Sequence, residues 1–199
     1  MMEGEFRIRV TYAMMGRLVM LSHLETARAI ERTVRRSDLP FAVTQGFSPH
    51  MKLAFGSALP VGVGGLAEIF DVTMTAFVPP AEALARLRAA SAPDLMPCDV
   101  RYIDKTVKAA SVAYPFSTYR VELADGADAS VLKVPEEIVV VRKKKERHLI
   151  PTDFLVGGMH ADGGALTFTL ESKPSGSLRP DVLVQTMLDA VGHAAGEPA

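Results

Sequence analysis

Phe6, Ile8, Val10 and Tyr12 alternate with Arg7, Arg9 and Thr11. A side-chain period of two is the signature of a β-strand with one apolar face and one wet face. Met14-Met15-Gly16-Arg17 breaks the period, and 18–21 reads as a short second extended stretch. A helix follows, because Ser22 and Glu25 stand three apart as a capping box in which hydroxyl and carboxylate each satisfy a backbone donor at the helix start. Leu24, Ala27, Ile30 and Val34 share one side of that helix at helical spacing, so the segment to about Ser37 is expected to lie on a sheet, with Pro40 ending it.

Residues 41–44 and 52–57 read as extended around the turn material Gly46-Phe47-Ser48-Pro49-His50, and 68–75 as a further alternating strand. Pro79-Pro80 opens a second helix over 81–90 with Leu84 and Leu87 toward the core, and 100–103 closes the half as a strand. The order is β-α-β-β-α-β with an additional hairpin between the middle strands, the ferredoxin-like split unit. Beyond 109–117 the pattern begins again. Strands are expected at 118–123, 138–143 and 165–171, with a short helix or turn at 131–137, a return through 148–150 and a last helix at 180–191. Residues 192–199 are small and polar enough to fray. The expected fold class is therefore α+β, as tandem ferredoxin-like units with antiparallel sheets, the second degenerate, divided as 1–108 and 109–199. No residue-level repeat links the halves, which leaves one continuous sheet with helices on a single face as the other arrangement.

The 22 basic and 23 acidic residues leave a formal charge of -1, so no global field draws the chain to nucleic acid or to an acidic membrane, and any attraction must be local. Cys98 is alone, which excludes an internal disulfide framework and a cysteine cage for zinc or an iron–sulfur cluster within one chain. Residues 1–9 lack the apolar stretch of a secretory signal, and Glu3 and Glu5 are wrong for a transit peptide. No window reaches the roughly 18 uninterrupted apolar residues of a membrane helix. A cytoplasmic protein without a membrane partner is the expectation.

Local charge concentrates on the first helix, where Arg28, Arg32, Arg35 and Arg36 form a stripe that Glu25 and Glu31 offset in part. Such a stripe is either a solvated face or a site for phosphate, carboxylate or RNA backbone, since the guanidinium fork suits oxyanions. His23, just inside the helix start, and His50, in the turn, both titrate near neutrality by residue type. They have no carboxylate or cysteine at a metal-ligand spacing and no Ser-His-Asp or Cys-His context, so neither a metal nor a catalytic residue is expected. Gly62, Gly64 and Gly65 run into a strand without the lysine of a phosphate loop, which makes them a tight connection with unusual φ. The cluster Arg142, Lys143, Lys144 and Lys145 reads as a hairpin tip or charged edge strand, with nucleic-acid contact as its alternative.

Several runs together resemble an uncharacterised bacterial family linked to radical S-adenosylmethionine (SAM) proteins. They are Gly16-Arg17 before Leu21-Ser22-His23-Leu24-Glu25, the arginine series, Pro40, Thr44-Gln45-Gly46-Phe47-Ser48-Pro49-His50, and Leu59-Pro60-Val61-Gly62 leading to Glu68 and Asp71. The likeness covers essentially the whole chain and weakens after about residue 110; Met51 stands where the family pattern commonly has proline. In that family the region occurs as the C-terminal part of a larger radical enzyme or as a neighbouring separate chain. This chain lacks the three-cysteine cluster motif, so the resemblance implies a non-catalytic accessory or substrate-presenting module for a radical SAM enzyme on a separate chain, with no cofactor of its own. Ser22, His23, Arg28, Arg32, Arg35, Arg36, Gln45, Phe47 and His50 are the residues expected to hold an anionic substrate or partner. The alternative is an RNA-binding protein of RNA modification or processing, by analogy with tandem ferredoxin-like domains.

Overall fold

β1 (Phe6–Met14), α1 (His23–Arg36), β2 (Leu53–Phe55), β3 (Gly65–Met74), α2 (Pro80–Ala90) and β4 (Leu95–Ile103) follow one another in the computed structural model, which describes residues 5–124, 127–142 and 144–196. Their sheet runs β2-β3-β1-β4 with every neighbouring pair antiparallel. Two crossover helices on such an order make the split β-α-β arrangement of ferredoxin-like units. Ile8, Val10, Tyr12 and Met14 of β1 and Phe70, Val72 and Met74 of β3 turn one face toward Ile30 and Val34 of α1 and Leu87 of α2, forming one core.

The Ser22 capping box is present: Glu25 N–H donates to Ser22 Oγ at 3.4 Å and Ser22 N–H to a Glu25 carboxylate oxygen at 2.8 Å. Just past the helix Asp38 sits in the left-handed region at φ 52°, where aspartate is tolerated, and Pro40 prevents continuation. The buried stripe of α1 is Thr26, Ile30, Thr33 and Val34, not the one expected, for Leu24 is 69% exposed. At about 100° per residue Leu24 stands far round the helix from Ile30, and the two threonines complete the stripe in its place.

Three further expectations are corrected. Residues 18–21 do not extend β1; Gly16–Met20 is a 3-10 helix, started where Gly16 takes φ +57° hard against Asp94, and a Cβ there would lie 2.7 Å from that carboxylate. β4 begins at Leu95 rather than 100. Finally, the second face of β1 is not wet along its length, because Arg9 is buried against Asp71 of β3. The chain after β4 covers that place. Arg7 donates to Val107 O at 2.6 Å, Arg9 donates to Lys108 O at 3.0 Å, and the Arg9 guanidinium stands 5.2 Å from the Tyr114 ring centre, just beyond the short α3 (Ala110–Ala113).

The chain divides into two compact units, Met1–Tyr114 and Pro115–Ala199. The second contains β5 (Phe116–Glu122), β6 (Ile138–Arg142), β7 (Lys145–Leu149), β8 (Leu155–Asp162), β9 (Ala165–Glu171) and α4 (Pro180–Gly196). β5-β9-β8 form an antiparallel sheet and β6-β7 a separate hairpin. Leu166, Phe168 and Leu170 share a core with Phe154, Leu183 and Met187. Among the described residues, the one helical element between β5 and β6 is the 3-10 turn Ala129–Val131, where the first unit has a full helix, so the second unit is the degenerate one. β8 has no counterpart among the expected strands. Gly157 and Gly158 take φ +74° and +83° and shift its register between Val156 and Met159, breaking the alternation. α4 continues to Gly196, beyond the expected end at 191. No helix among the described residues is long and apolar enough to cross a membrane.

Candidate functional site at the start of the first helix

Tyr12 on β1 pairs directly with Glu68 on β3, so the Glu68 carboxylate is carried to the same side of the sheet as Phe70, Val72 and Met74. It lies near the end of the strand. There it borders a recess formed by Tyr12 and Met14 of β1, His23 and Thr26 in the first turns of α1, and Phe55, Gly56, Ser57 and Leu59 at and after β2. Thr26 Oγ1 donates to Met14 Sδ at 3.7 Å, and the His23 ring stands edge-on to Phe55 with centroids 5.8 Å apart. Space for the carboxylate depends on Gly65. A Cβ there would come within 2.4 Å of Glu68 Cγ and 2.8 Å of Leu59 Cδ1.

Burial pushes the Glu68 carboxyl up to about 7, since desolvation disfavours its charged form. The Tyr12 phenol is also raised, first by burial and then by the Glu68 charge beside it. Among the described residues the Glu68 carboxylate has no hydrogen-bond or ion-pair partner. By contrast Glu25 is held below the usual carboxylate range by hydrogen bonds from the Ser22 hydroxyl and then its backbone N–H, so the start of α1 already carries an anion of its own.

The sequence-predicted residues divide among three places. Ser22 closes the capping box, and of the nine expected positions His23 is the one that lines the recess. Arg28 acts on Glu25, and Arg32 is exposed. Arg35 pairs with Glu31 at 2.7 Å and lies over the Phe41 ring, while Arg36 donates to Ala90 O at 2.7 Å beside α2. Gln45, Phe47 and His50 belong to a small loop closed by Thr44 N–H to His50 O at 2.8 Å and His50 N–H to Thr44 Oγ1 at 3.0 Å. Gln45 and Phe47 are exposed at its tip. In the second unit Lys144 takes φ +62° at the end of the β6–β7 hairpin, with Arg142 opposite Lys145; Lys143 lies outside the described residues.

Sequence reasoning missed Tyr12, Thr26, Phe55 and Glu68. A signal existed for Glu68, an acidic residue at the same parity as Phe70 and Val72 and hence at a core-facing position of its strand. Elsewhere on the same stretch of chain, Met15, Met20, Leu24, Val61 and Leu66 are exposed apolar side chains, and Gly62 N–H donates to Val19 O at 2.8 Å to hold the 60–64 loop against the 3-10 helix. No three His, Cys, Asp or Glu side chains group as metal ligands among the described residues.

These features define an α+β protein built on a split β-α-β unit with antiparallel sheets. The chain belongs to the bacterial family described as "Uncharacterized protein conserved in bacteria" (DUF2344), whose profile matches residues 7–180. No curated protein matches the chain.

Proposed function

We propose that the protein is a non-catalytic accessory module that presents a substrate or docks to a radical SAM enzyme on a separate chain, and that its working surface is the end of the first unit where α1 begins. The observation that carries this reading is the recess itself. It joins a half-buried, unpaired carboxylate to an apolar lining from Met14, Phe55 and Leu59, and Leu24, next to His23 in the chain, and Leu66, on the same strand as Glu68, are exposed apolar side chains of the elements that form it, which is the makeup of a binding surface. A catalytic constellation would need a nucleophile and an oriented base, and the histidine present is set edge-on to a phenylalanine. The identity of the partner enzyme rests on the resemblance of the Ser22–Glu25 and Thr44–His50 runs. Arg28 and Arg32, exposed on α1, support an anion or RNA phosphate as a second contact of the same module.

Purification of the tagged full chain from its native cell tests the reading. The expected result is retention of a radical SAM enzyme by the wild type and its loss in a Leu24→Asp/Leu66→Asp variant, which leaves the core untouched because both side chains are exposed. Absence of any such enzyme, with saturable RNA binding whose salt dependence flattens in Arg28→Ala/Arg32→Ala, would replace this reading with the RNA one.

A further inference from the structure

We infer that the recess at the start of α1 is a site for a primary ammonium group, bound by the Glu68 carboxylate between the rings of Tyr12 and Phe55. This deepens the function proposed above, since it names the chemical class presented at the same surface.

A carboxylate lining an open recess with no protein partner attracts a complementary charge, and burial limits the screening that weakens exposed pairs. The ring of Phe55 lines the same recess, and Tyr12 pairs with Glu68 across the strands. Aromatic rings beside a carboxylate are the recurrent means of holding an organic cation, because the ring quadrupole adds to the ionic attraction while the rings exclude water. The Thr26 hydroxyl and Ser57 supply oxygen atoms for the remaining N–H donors. The space inside the recess is about that of a water molecule, which suits a compact ammonium head better than the wider, planar guanidinium. An anion is disfavoured at the same place by Glu68 itself.

Proton linkage follows. Binding of a cation stabilises ionised Glu68, so at a pH below about 7 each bound ammonium displaces a proton and affinity falls as pH drops. The titratable groups facing Glu68 are Tyr12 from β1 and His23 from α1; β2 and the residues after it contribute Phe55, Ser57 and Leu59. Because His23 lines the same recess, a His23→Gln control is necessary.

The test is an NMR titration of the isolated full chain with butylammonium, butanol and butanoate at matched ionic strength, so that it does not depend on any enzyme partner. Butylammonium is expected to bind saturably in the millimolar range, as befits a small fragment, with shifts at Thr26, Phe55 and Glu68. Butanol and butanoate are expected not to shift these residues. Glu68→Gln should weaken binding about tenfold or more, and His23→Gln should keep the loss of affinity from pH 8 to pH 6. Should Glu68→Gln fail to fold, the pH series on the wild type and His23→Gln decides. Equal binding of butanol, or an affinity indifferent to pH in that window, overturns the proposal. A negative result here with the radical enzyme still captured in the purification would reject the ammonium alone; a positive result with no enzyme captured would reject the partner alone.

Discussion

Arg9 and Asp71 face each other across β1 and β3 and close a two-pronged ion pair, Nε to Oδ1 at 2.7 Å and Nη2 to Oδ2 at 2.9 Å, with each residue 2% exposed. Burial alone would push the Asp71 carboxyl up, but hydrogen bonds from Arg9 and Arg7 outweigh it and hold the group below the usual carboxylate range. Arg9 in turn is raised by the Asp71 hydrogen bonds against its own desolvation. Removing one partner leaves the other charge buried and uncompensated. Asp71→Ala is therefore expected to destabilise the first unit by about 3 kcal/mol or more in urea unfolding followed by circular dichroism. Replacing both, as Arg9→Met/Asp71→Leu, should recover only part of that loss, because the apolar pair needs no counter-charge but Arg7 still loses its Asp71 partner.

Stability should also fall as pH rises from 4.5 toward about 7, the window between the ordinary glutamate value and that of folded Glu68. There the unfolded chain has lost the Glu68 proton that the folded chain still holds, so raising pH favours unfolding until both are ionised. Asp71 works with the opposite sign and at more acid pH: its contribution is complete above 3.8 and is lost as pH drops through its lowered folded value. Urea midpoints of the wild type and Glu68→Gln measured from pH 4.5 to pH 8 check this. The difference between them should grow in favour of the variant with rising pH and level off above about 7.

Gly65→Ala should disturb the recess without replacing any charged residue. Its new Cβ meets Glu68 Cγ at 2.4 Å and Leu59 Cδ1 at 2.8 Å, so the glutamate must swing outward. A loss of about 1–3 kcal/mol is expected, as for overpacking elsewhere. NMR titration of the variant should also show the Glu68 carboxyl returning toward 4.5 as it gains water.

Ser22→Ala removes the hydroxyl that accepts from Glu25 N–H and donates to its carboxylate at 2.7 Å. Loss of the cap is expected to cost about 1 kcal/mol in thermal or urea unfolding. Thr and Asp at this position should restore most of it, since both accept from the same backbone donor.

The first unit was legible because its signals are local. A period of two marked β1, a capping box marked α1, and Pro80 marked α2, all interactions spanning a few residues. What failed depended on distant partners. Arg9 reads as a solvent-facing residue until Asp71, 62 positions later in the chain, is placed beside it. Glu68 reads as one member of an alternating strand until Tyr12 and α1 close over it. The arginines of α1 are legible as a charged face, yet the pairing of Arg35 with Glu31 and the contact of Arg36 with α2 scatter them across the helix surface. β8 escaped for another reason: two glycines at positive φ interrupt the alternation that identifies a strand.

Photo-cross-linking from position 24 in the native cell tests most directly whether the start of α1 is the working surface. With p-benzoylphenylalanine in place of Leu24, the expected product is a cross-link to a radical SAM enzyme, and the same group in place of Lys145 on the β6–β7 hairpin is expected to give none. A cross-link to that enzyme from position 145 but not from 24, or cross-links from 24 to RNA alone, would contradict it.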